Sequence, residues 1–186
     1  MKKLLISFGV FVFAITNAFA GDALTEDQAK RFVESLDSVN GFGDELEASG
    51  KTDRLAIDTQ PKAGEKFMPY TKAISALKTN YPADYGRFAQ LIKPHGFNAD
   101  EWSGVGDRVM IAYLALHMQQ EDPQAMAMLK QMDRSMLDNL PPELKSQMEA
   151  SLVLVEAVQN APQADMKVVS TVKAELDAYM EAQQKQ

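Results

Sequence analysis

The chain has 186 residues, no cysteine, 19 basic and 26 acidic residues, and a formal charge of −7. Its 46% hydrophobic and 24% charged content is ordinary globular composition and excludes a disordered, collagen-like or coiled-coil chain. The missing cysteine excludes disulfides, zinc–thiolate centres and thiol catalysis, and the acidic balance disfavours nucleic-acid binding.

The first twenty residues have the pattern of a secretory signal peptide. Lys2 and Lys3 form a positive start, Leu4 to Ile15 is largely apolar, and Ala18-Phe19-Ala20 offers a small-x-small cleavage site. The apolar run has 12 residues. A membrane-spanning helix needs about 20, so stable membrane insertion is not expected. No cysteine follows the run, which excludes a lipid anchor of the bacterial type. The expected product is soluble, periplasmic or secreted, and begins at Gly21. Cleavage removes only Lys2 and Lys3 among the charges and leaves a more acidic chain.

Residues 21–186 read as one all-α domain. The 3.6-residue period recurs, and alternation of strand length is hard to find. Thr25 and Gln28 form a capping box ahead of Ala29, Phe32, Val33, Leu36 and Val39, and Asn40-Gly41 marks the expected stop. Leu24-Thr25-Glu26-Asp27-Gln28 also resembles the LTxxQ box of a family of small helical periplasmic chaperones. That likeness covers five residues, coincides with the capping box, and carries no functional residue across. Residues 40–68 read as an irregular connection broken by Gly41, Gly43, Gly50, Pro61 and Gly64, with one short helix from Asp44 to Leu55.

From residue 69 onward, prolines punctuate the pattern. A helix over 69–78 carries Tyr70, Ala73, Ile74 and Leu77, and Tyr81-Pro82 opens the next, which closes at Pro94 and Gly96. Asn98 and Glu101 cap the following helix, with Phe97 and Trp102 spaced as a hydrophobic staple. Its Val109 to Leu116 stretch is apolar on every face, which predicts a buried central helix. Asp122-Pro123 starts a methionine-rich helix to about Asn139. Pro141-Pro142 and Asn160-Ala161-Pro162 bound another, and a last helix carries Val168, Val169, Val172, Leu176 and Tyr179. The sum is a helical bundle or orthogonal array of seven to eight helices, with short turns that favour antiparallel neighbours.

Candidate functional residues fall in two groups. Asp107 and Arg108 stand immediately before the apolar stretch, so at least one is expected to be partly buried and in need of a partner. Gly104 and Gly106 lower helix propensity there by about 1 kcal/mol each relative to alanine. Gly106 shares a face with Trp102, Val109 and Tyr113, a notch that admits a neighbouring helix or a ligand. Trp102, Gly106, Asp107, Arg108, Tyr113 and His117 are therefore the candidate ligand- or partner-binding residues. A structural ion pair with close helix packing is the favoured account of the charged pair. The second group is Met128, Met132 and Met136, which step by four along one helical face. Thioethers at that spacing suit Cu(I), and equally suit a core or an apolar partner surface. His95 and His117 lack a partner at helical spacing and make poor metal signals.

No catalytic triad order, nucleophile elbow, phosphate loop, HExxH or EF-hand pattern occurs. The sequence therefore favours a non-catalytic binding module with no cofactor, acting on an apolar segment or protein partner in the bacterial envelope. The alternatives are Cu(I) handling by the methionine helix and an enzyme with a site around Asp107 and Arg108. Oligomeric state stays open.

Overall fold

The computed structural model describes residues 23–53, 55, 65–121 and 142–185. These residues form six long helical runs, a short helical stretch at Thr52, Asp53 and Leu55, and no strand. The helices are α1 (Glu26–Ala48), α2 (Pro69–Asn80), α3 (Pro82–Ile92), α4 (Ala99–Glu121), α5 (Pro142–Gln159), α6 (Gln163–Val169) and α7 (Lys173–Gln183). A 3-10 turn at Ser170–Val172 joins α6 to α7, so those two make one broken run. No described helix is long and apolar enough to cross a membrane.

The all-α class holds, and the helix count is corrected. The expected break at Asn40-Gly41 is absent, because α1 continues through both glycines to Ala48. Packing explains the difference. Phe42 and Leu46 are buried, and the Phe42 ring lies 5.9 Å from that of Phe88. Burying a large apolar side chain contributes about 1.5–3 kcal/mol. That outweighs about 1 kcal/mol for each glycine. The helix stops instead at Ser49, and Gly50 takes the left-handed conformation (φ 70°) that suits glycine after a helix end. The first part of the short helix expected over Asp44 to Leu55 is the last turn of α1, and beyond Gly50 the described residues Thr52, Asp53 and Leu55 are helical again. The methionine-rich helix expected over 122–139 lies outside the described residues, as do the signal peptide and its cleavage site.

Both capping boxes form. Thr25 Oγ1 accepts from the Gln28 N–H at 3.2 Å, and Gln28 Oε1 accepts from the Thr25 N–H at 3.0 Å. Asn98 Oδ1 accepts from the Glu101 N–H at 2.9 Å, and Glu101 Oε2 accepts from the Asn98 N–H at 3.0 Å. Helices α2 and α3 start with proline at a position whose N–H has no intrahelical partner.

Helix α4 is central, as its apolar sequence predicts. It packs against α1, α2, α3, α5 and α6. Val105, Val109, Ala112 and Ala115 are buried along it, and Met110, Ile111, Leu114 and Leu116 are half-buried. The core at its N-terminal end is aromatic. Trp102 has Phe32 and Phe88 rings at 5.1 Å each and Tyr70 at 5.4 Å. These helices leave the side chains of α4 as the frame of the candidate site.

Candidate functional site

The six candidate residues lie on α4 and divide into four environments. Trp102 belongs to the core, at 2% exposure. Its indole N–H donates to Ser35 Oγ at 2.7 Å, and the Ser35 hydroxyl donates to the Phe32 carbonyl at 2.6 Å. A buried indole N–H needs such an acceptor, and α1 supplies it.

Gly106 marks a close approach of helices. A Cβ there would sit 2.8 Å from a Phe32 ring carbon and 2.9 Å from Tyr70 Cγ. The notch is filled by two aromatic rings of α1 and α2. Gly104, two residues earlier, has nothing within 4 Å of a built Cβ. The two glycines should therefore respond with opposite sign. Gly104→Ala should stabilise by up to about 1 kcal/mol through helix propensity. Gly106→Ala should destabilise by about 1–3 kcal/mol, because two packed rings must shift. Thermal unfolding of the two variants side by side checks this.

Asp107 and Arg108 are parts of the frame. Asp107 is 4% exposed, and its carboxylate accepts from the Tyr70 N–H at 2.7 Å and the Thr71 N–H at 3.3 Å. It caps α2 from another helix. Met68, at the N-cap position of α2, supplies no side-chain acceptor, and Pro69 has no N–H. Burial pushes the Asp107 carboxyl up, and the hydrogen bonds from Thr71 and Tyr70 pull it back down. Arg108 makes a two-pronged ion pair with Asp165 of α6. Nε donates to Oδ2 at 2.8 Å and Nη2 to Oδ1 at 2.6 Å. Asp165 is 1% exposed, and its Oδ1 also accepts from the Leu24 N–H at 3.1 Å. One buried carboxylate therefore joins the start of the domain, α4 and α6.

Tyr113 and His117 sit one turn apart near the C-terminal end of α4, with their rings stacked at 6.1 Å. The Tyr113 hydroxyl donates to Asp177 Oδ1 at 2.9 Å, and Lys173 Nζ donates to Oδ2 of the same carboxylate at 2.8 Å. The Lys173 hydrogen bond holds the Asp177 carboxyl below the usual range. This cluster fastens α7 to α4.

Beside Tyr113 lies a small apolar cleft between α1, α2, α4 and α7. Its walls include Leu36, Tyr70, Met110, Tyr113, Tyr179 and Met180. The cavity measures about 10 Å³, roughly the room of one water molecule. Tyr70 is half-buried at one wall, and loss of solvent around its hydroxyl pushes that group well above the usual tyrosine range, with Tyr179 and Asp107 adding to the effect. The Tyr179 hydroxyl is raised too, first by burial and then by the carboxylates of Asp37 and Asp44.

Among the sequence candidates, only Tyr113 lines this cleft, and Gly106 abuts the Tyr70 ring that does. In the sequence Tyr70, Met110 and Tyr179 are ordinary helix residues, and Met180 carries no signal of its own. The tyrosines stand out only once helices from four parts of the chain are brought together. Met128, Met132 and Met136 lie outside the described residues. Among the described residues, no group of three or more histidine, aspartate or glutamate side chains is placed to hold a metal ion. No family model, no characterised protein and no solved structure matches the chain.

Proposed function

We propose that the protein is an exported, non-catalytic binding module that engages an apolar segment of a protein partner in the bacterial envelope. The observation that carries this reading is the cleft beside α4, walled by three tyrosines, two methionines, two leucines, a phenylalanine and a valine. Tyrosine and methionine are enriched in the buried centres of interfaces, and methionine walls adapt to what they meet. The charged candidates do not compete for a role in chemistry. Asp107 caps a helix, Arg108 pairs with Asp165, and Asp177 is held by Tyr113 and Lys173. Export through the N-terminal signal and a mature start at Gly21 belong to the same proposal.

Site-directed crosslinking in a secreting bacterium tests both parts. A photo-crosslinking amino acid replacing Met180 should yield discrete adducts with envelope proteins. The same group replacing Asp100, exposed at the other end of α4, should not. N-terminal sequencing of the recovered protein should return Gly21. Matching adducts from both positions, or none from position 180, would count against the binding reading. A recovered Met1 would count against export.

A further inference from the structure

We infer that the leader is cut from a chain that has not yet folded. The clasp that Leu24 makes with Asp165 and Arg108 brings the folded domain too close to the Ala20–Gly21 bond for a membrane peptidase to reach it. This inference rests on the export reading and adds the order of events: translocation, cleavage, then folding.

The start of the domain is fixed almost as soon as it begins. Ala23 is exposed, but Leu24 is 3% exposed and its N–H donates to Asp165 Oδ1 at 3.1 Å. Asp165 is itself buried and held by two bonds from Arg108. Thr25 forms the capping box directly afterwards, and Ala29, one turn into α1, is 0% exposed. A terminus tied down in this way is not the frayed segment that proteases favour.

Only Gly21, Asp22 and Ala23 lie between the expected cleavage bond and Leu24. Three residues span at most about 11 Å when fully extended. A domain of about 160 residues has a radius of gyration of about 15 Å. The tether is therefore shorter than the domain is deep. On the other side, Thr16 to Ala20 separate the bond from the apolar run, which sits in the bilayer during export. A peptidase that binds the chain as an extended strand on both sides of the bond must fit between membrane and domain. Releasing more chain means drawing Leu24 out of the core and parting its N–H from a buried carboxylate, so the open form is a minor population. Cleavage of the unfolded chain meets no such barrier. It adds water across the peptide bond, leaving the Ala20 carboxylate on the leader and the Gly21 ammonium on the domain, and the clasp then closes. The first twenty residues contain lysine and no arginine, so they lack the twin-arginine pattern of the route that carries folded proteins.

The test uses the full 186-residue precursor, refolded in mild detergent, beside a precursor with about six glycine and serine residues inserted between Asp22 and Ala23. Circular dichroism and tryptophan fluorescence check that both are folded. A purified signal peptidase in the same detergent should cut the lengthened precursor before Gly21 at least about tenfold faster than the native one. Diluted from urea straight into the enzyme, the two should be cut at one rate. A second pair of chains carries a polar tag in place of the leader, ending in the recognition sequence of a soluble endopeptidase that cuts before Gly21. It serves if the leader prevents refolding, and the same tenfold gap is expected there. Equal rates for the folded native and lengthened chains would overturn the inference and leave the leader standing. No cut before Gly21 in the precursors diluted from urea would overturn the leader itself, and the inference with it.

Discussion

Trp102→Ala is expected to destabilise the protein by about 3–5 kcal/mol, the range for removing a fully buried large aromatic ring. Three rings would lose their common partner, since Phe32, Phe88 and Tyr70 all lie within 5.4 Å of the Trp102 ring. The void would open between α1, α2, α3 and α4, where four elements must collapse together to fill it. The Ser35 hydroxyl, 0% exposed, would also lose its donor from the indole. Trp102→Phe separates the two effects. It keeps a ring and removes the N–H, so its cost should be smaller, about 1–3 kcal/mol. Ser35 keeps its bond to the Phe32 carbonyl in both variants, which limits the polar penalty. Because Trp102 is the only tryptophan, urea unfolding must be followed by circular dichroism. A lower midpoint at an unchanged slope would report lost stability of the same folded state. A midpoint equal to wild type would take Trp102 out of the core and return it to the candidate contact residues.

What the sequence made legible follows the reach of each signal. Capping boxes and prolines act over three or four residues, and the starts at Thr25, Pro69, Pro82 and Asn98 were all readable. Gly41 and Gly43 misled because propensity is local, whereas the burial of Phe42 against Phe88 depends on a helix some forty residues later. The turn at Ser170–Val172 interrupts an apolar stripe without any glycine or proline to announce it. The site shows the same division. A partner for Arg108 was required by the cost of a buried charge, but its identity was not readable, since Asp165 is 57 residues away. Asp107 read as one half of a charged pair, and its actual work, capping α2, spans 37 residues. The notch at Gly106 was legible as a close approach, but its occupants, Phe32 and Tyr70, come from two other helices. The cleft itself was invisible, because its walls come from α1, α2, α4 and α7 and none carries a motif.

The ion pair between α4 and α6 gives the second large effect. Arg108→Met should destabilise by about 3 kcal/mol, the lower end of the cost of breaking a buried pair. The lower end applies because the Arg108 side chain is 37% exposed, while Asp165 is 1% exposed. Methionine keeps much of the aliphatic stem, so the loss reports charge more than packing. It would leave the Asp165 carboxylate buried with the Leu24 N–H among its former donors and no guanidinium. Adding Asp165→Asn should then recover much of the loss. Asparagine is neutral, and its side-chain oxygen can still accept from the Leu24 N–H. Replacing a buried pair by uncharged groups of similar volume is often close to neutral. Asp165→Leu in the same background should recover less, because the buried Leu24 N–H would lose its acceptor at about 1–3 kcal/mol. Unfolding curves for the four proteins form the experiment. A structural pair requires the order wild type, Arg108→Met with Asp165→Asn, Arg108→Met with Asp165→Leu, and Arg108→Met alone, from most to least stable. An Arg108 held for an anionic ligand would instead relieve an unneutralised charge when replaced. The Arg108→Met variant would then match or exceed wild type in stability. That result would return residues 101–117 to consideration as an anion site and would count directly against a binding module whose work is done at the cleft.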